Sequence, residues 1–132
     1  MTDGMRNPNA KHTDFGFLKG IIRKNPKAQA SNVDMIFERK GHVLIGEWKR
    51  AGENMSEGQK RLLRALSDKP DFYVYIIEGY SYAEEREVGR IYKLQKEKLT
   101  KLGAGEAYLI KMIQSWYAYV DSLQSSVSGT LQ

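Results

Sequence analysis

The chain has 132 residues, 41% of them hydrophobic, a formal net charge of +5 and no cysteine. That length supports one domain with a real core, and the ordinary apolar fraction argues against wholesale disorder; the missing cysteine excludes a disulfide framework and thiolate metal sites and fits a reducing compartment such as the cytoplasm, and the compactness of the chain suggests a prokaryotic or phage-infected host cell. No apolar run reaches the roughly 18–20 residues of a bilayer crossing, the opening MTDGMRNPNAKHTD lacks the apolar stretch of a secretory signal, and the positive balance favours polyanionic partners, nucleic acid above all.

Residues 1–11 read as a loose polar lead, and 124–132, which include SSVSGTLQ, as a loose tail. Between Thr13 and Lys24, the residues Phe17, Leu18, Ile21 and Ile22 share one helical face, with Thr13 or Asp14 as cap and Asn25-Pro26 as stop. Two runs rich in Val, Ile and Phe follow, 32–39 and 42–49, with Lys40-Gly41 between them, which predicts an antiparallel hairpin. Residues 51–55 form a loop, and Ser56 opens a helix to about Ser67 with Leu62, Leu63 and Leu66 inward. FYVYIIE, residues 72–78, is apolar on both faces and predicts a central strand covered on both sides. Residues 79–87 read as a charged loop, 88–94 as a strand, the stretch around Gly103 as a linker, and 104–123 as a last helix bearing Leu109, Met112, Ile113, Trp116, Val120 and Leu123. The order α-β-β-α-β-β-α describes a single domain of α/β (α+β) class, a mixed sheet flanked by helices.

The chemistry gathers on the hairpin. Side chains alternate along a strand, so Glu47 and Lys49 share a face and Trp48 points away from it. A two-residue turn at Lys40-Gly41 makes Asp34 the cross-strand partner of Glu47. Two carboxylates so close repel unless a cation lies between them or one takes a proton. Oxygen donors of this kind suit Mg²⁺ or Mn²⁺, and a neighbouring lysine can orient a water or stabilise growing negative charge. These are the parts needed to hydrolyse a phosphodiester.

Asp34, a gap of twelve residues, and then Glu47-Trp48-Lys49 resemble the PD-(D/E)xK nuclease motif. The stretch ERKGHVLIGEWKRAGENMSEGQKRLLRAL looks like the virus-type replication-repair nuclease (VRR-NUC) branch, and archaeal and phage Holliday-junction resolvases share much of the layout. The resemblance covers residues 12–78 and is strongest over 32–66. It implies a restriction-endonuclease-like core and a Mg²⁺- or Mn²⁺-dependent DNA endonuclease, structure-selective and acting as a homodimer. It also implies that Asp34 and Glu47 are metal-binding acids, that the Trp48 carbonyl is a further ligand, that Lys49 is the catalytic lysine and that Gln59 is an auxiliary catalytic glutamine. Val33 stands where the family name has proline, and the first helix lacks the glutamate many relatives use. Asp14 is the one acid there: it substitutes, or two acids suffice, or catalysis is impaired.

Each residue also has a plainer role. A cross-hairpin salt bridge would leave the same Asp, Glu and Lys pattern and contribute roughly 0–1 kcal/mol. Ser56 and Gln59 have the spacing of a capping box. Arg50, Lys60, Arg61 and Arg64 either line a DNA groove or form a solvated face. Tyr73 and Tyr75 read as packed strand residues, and His12 and His42 lack metal-ligand spacing. Besides the endonuclease, the sequence therefore leaves open a catalytically weak or inactive nuclease-fold module that binds DNA or protein.

Overall fold

The structure, a computed structural model, describes residues 16–27 and 34–124. The chain divides into two compact units, Met1–Asn32 and Val33–Gln132. In the first, the described residues form a 3₁₀ turn, Gly16–Leu18, followed by further turns, with Ile21 N–H donating to Leu18 O at 3.3 Å and Asn25 N–H to Ile22 O at 3.0 Å. This corrects the expected helix over 13–24 for its described part. Gly16 and Gly20 each cost a helix about 1 kcal/mol, Gly20 takes a φ of 84°, and the would-be apolar face, Phe17, Ile21 and Ile22, is exposed. Asp14, the lead 1–11 and the tail beyond Gln124 lie outside the described residues.

The second unit carries β1 (Met35–Arg39), β2 (His42–Lys49), α1 (Glu57–Ser67), β3 (Phe72–Ser81), β4 (Arg86–Gln95), β5 (Lys98–Ala104) and α2 (Glu106–Asp121). The strands form one mixed sheet in the order β1-β2-β3-β4-β5. Only β2 and β3 run parallel, joined through α1; the other neighbours are antiparallel. The predicted hairpin, α1, the central strand and α2 are present. β3 and β4 extend into the expected 79–87 loop, leaving 82–85 as the connection, and the expected linker before α2 forms β5.

Alternation sorts the core into two layers. Ile45, Val74, Ile76 and Leu94 face α1 and pack on Leu63, with Val43, Met55, Leu66 and Phe72 around them. Leu44, Tyr75, Ile77 and Ile91 face the other way and pack on Leu109, Trp116 and Val120 of α2, with Met35, Trp48, Met112 and Ile113. The sheet is thus covered by one helix on each face, as the two-sided apolar pattern of β3 requires. Leu63 is the one fully inserted side chain of α1, and its burial contributes roughly 1.5–3 kcal/mol. Ser56 caps α1 through its Oγ, which accepts from Gln59 N–H at 3.1 Å.

Candidate functional site

The site starts from the turn. Lys40 and Gly41 have φ of 53° and 85°, the left-handed pair of a two-residue hairpin turn whose twist matches the flanking strands. The ladder runs from Arg39↔His42 to Met35↔Gly46. One step further, Asp34 leaves the strand, and its Oδ2 accepts from Trp48 N–H at 2.9 Å. A strand residue projects its N–H and C=O to the same lateral side, so the Trp48 carbonyl faces the Asp34 side as well. The Trp48 ring goes to the α2 face, against Ile77, Ile91 and Leu109.

Glu47 lies on the α1 face and is 6% exposed. Burial first, then the charge of Asp34, pushes its carboxyl up to about 7, and Gln59 opposes that rise. The Gln59 Nε2 amide donates to Glu47 Oε2, while Glu47 Oε1 is buried with no hydrogen-bond partner among the described residues. Gln59 therefore closes only half of a capping box: its backbone N–H serves Ser56, and its side chain reaches the hairpin acid. The charge of Asp34 reaches the Glu47 carboxyl, and the neighbourhood offers hard oxygen donors with one carboxylate oxygen unspent. In kind this donor set fits Mg²⁺ or Mn²⁺; in number it is short, since among the described residues no three of His, Asp and Glu form a group able to hold a metal ion.

Lys49 shares the α1 face with Glu47 but is engaged elsewhere. Its Nζ donates to the Glu53 carbonyl at 3.1 Å and stands 3.8 Å from Glu78 Oε2. Glu78, 7% exposed, is its register partner across the parallel β2–β3 pair. Arg90 grips the same carboxylate from β4, with Nε at 2.6 Å and Nη2 at 3.3 Å. Glu78 and Arg90 are the residues sequence reasoning missed. The available signal was a lone acid ending the apolar run FYVYIIE.

The four predicted DNA-binding cations do not form one cluster. Arg50 donates to the Tyr82 hydroxyl and lies over the rings of Tyr80 and Tyr82, with its guanidinium carbon 5.2 and 5.8 Å from their centroids. Those rings stack at 5.4 Å. Arg50 also lines a cavity of about 340 Å³ with Glu78, Glu87 and Arg90. Lys60 and Arg64 instead share one flank of α1 and line a cavity of about 190 Å³ with Glu97. Lys60 pairs with Glu57 at 3.6 Å, and Arg61 is exposed. His42 is buried, as a structural residue, with Nδ1 at 3.2 Å from the Tyr73 hydroxyl and 3.6 Å from Asp71.

No family model, no curated protein and no solved structure matches the chain. The geometry of the hairpin is therefore what a functional reading rests on. Among the described residues, no helix is long and apolar enough to cross a membrane.

Proposed function

We propose that this chain is a DNA-binding module built on a nuclease-like frame, with a two-acid centre of low catalytic power. The observation that carries the reading is the division of the hairpin's charges. Asp34 and Glu47 face each other, while Lys49 is held by Glu78 and the Glu53 carbonyl. A lysine neutralised by a buried acid is poorly placed to stabilise charge on a reacting phosphate. The net charge of +5 and the aromatic-braced Arg50 support attraction to a phosphate backbone. A restriction-endonuclease-like identity for the mixed sheet belongs to the same proposal, supported by the hairpin, the following helix and the parallel strand.

A second reading is favoured by the unspent Oε1 of Glu47. In it the chain is a Mg²⁺- or Mn²⁺-dependent endonuclease of PD-(D/E)xK type, selective for junction-like DNA and acting as a homodimer. Asp34, Glu47 and the Trp48 carbonyl would hold the ion, with Asp14 as a further acid. The ion would supply polarisation of a phosphoryl oxygen and a lowered pKa of bound water. Gln59 would keep Glu47 oriented.

Supercoiled plasmid and a four-way junction, each with Mg²⁺ or Mn²⁺, separate the two. The module binds both DNAs in a salt-sensitive manner, and wild type and Glu47→Ala leave them equally intact. Cleavage by wild type that Glu47→Ala abolishes establishes the endonuclease instead. Absence of binding at low salt removes both readings.

A further inference from the structure

We propose that the groove between α2 and the β3–β4 region is a nucleotide site that takes an aromatic base bearing a phosphate. It lies on the sheet face opposite α1, and it stands without the Asp34–Glu47 centre. Its volume is about 820 Å³, inside the range of about 300–1,000 Å³ typical of small-molecule sites.

The walls are aromatic. Tyr73 meets Trp116 edge-on, with ring centroids 5.9 Å apart, and Tyr108 and Tyr119 line the α2 side. Gly103 keeps Tyr108 in place: a Cβ there would lie 2.6 Å from the ring. The charged lining is all positive, Lys93 from the sheet and Lys111 from the helix, with no Asp or Glu among the lining residues. Lys93 Nζ sits 5.8 Å from the Tyr73 ring centroid. Trp116 is 6% exposed, and its indole Nε1–H is buried with no hydrogen-bond partner among the described residues. The Tyr75 phenol, which burial pushes up to about 12, lines the groove as a further O–H.

The groove therefore offers aromatic walls and two ammoniums, with the buried Trp116 indole behind them. A phosphate alone would leave the rings unused, and an apolar ligand would leave the ammoniums without a counter-charge. A base joined to a phosphate answers both: the ring stacks on the aromatic walls and the lysines take the phosphate.

The test follows the Trp116 indole N–H resonance of the full chain by NMR during titration with thymidine monophosphate, a short oligothymidylate, and inorganic phosphate. The nucleotide or the oligonucleotide shifts that resonance, and inorganic phosphate does not. Lys93→Ala with Lys111→Ala, both at the groove mouth rather than in the core, weakens binding about tenfold or more. Glu47→Gln binds as wild type does, which separates this groove from the hairpin centre. A response to thymidine monophosphate identifies a free nucleotide as ligand; a response to the oligonucleotide alone identifies a single strand. The proposal is overturned if neither probe moves the resonance, if inorganic phosphate moves it equally, if the double lysine variant binds unchanged, or if Glu47→Gln abolishes binding.

Discussion

At Glu47 the decisive event is protonation of a buried carboxyl, with which, under the endonuclease reading, a cation would compete. Its folded pKa of about 7 lies above the ordinary 4.5, so the folded chain keeps a proton that the unfolded chain has already released. Stability is therefore highest below about pH 4.5 as far as this group is concerned and falls as pH rises through 7. Partial solvent screening reduces the effect to on the order of 1–2 kcal/mol. Thermal melts of wild type and Glu47→Gln between pH 5 and 8 check this: the slope belongs to wild type and is lost in the variant. Under the endonuclease reading, Mn²⁺ at pH 8 restores stability to wild type and leaves Glu47→Gln unmoved. Gln59→Ala removes the side-chain bond that holds the Glu47 pKa down, so carboxyl titration by NMR finds that pKa raised further. The Ser56 cap is a separate matter on the same turn of helix, and Ser56→Ala costs about 1 kcal/mol, read by urea denaturation.

Among the elements, the hairpin decides whether the acids meet. Gly41 at a φ of 85° tolerates no β-branched residue, and Gly41→Val costs about 1–2 kcal/mol. Inserting one residue between Lys40 and Gly41 has a different signature. The register past the turn shifts by one, Asp34 loses its place beside Trp48, and the raised Glu47 titration collapses even where the fold survives. This hairpin was legible in the sequence because Lys40-Gly41 is flanked by two apolar runs, and its register placed Asp34 against Glu47 by counting alone. α1 was legible from Ser56 and three leucines. β5 was not: its connection to β4 turns through Lys96 and Glu97, both at positive φ, with neither glycine nor asparagine to announce it. The first segment misled for the opposite reason, an apolar spacing that two glycines override. Glu78 stayed hidden because its partner Lys49 sits across a parallel pairing, where no local pattern records the contact.

For the molecule as a whole, the excess of positive charge predicts binding to DNA that weakens steeply with salt. Arg50→Ala lowers the slope of log affinity against log salt by about 1 and weakens different duplex sequences alike, as measured by fluorescence anisotropy over a salt series. A result confined to one sequence would mean that Arg50 reads bases rather than backbone. The single parallel pairing has a consequence for the order of assembly. A two-residue hairpin closes quickly, whereas β2 and β3 must wait for the intervening helix to fold back. The acids are thus brought face to face before Lys49 can reach Glu78. During refolding the hairpin passes through a stage of concentrated negative charge with its neighbouring ammonium still loose. Under the endonuclease reading, a divalent ion present at that moment accelerates folding as well as deepening the final well, and stopped-flow refolding with and without Mn²⁺ reads that acceleration directly.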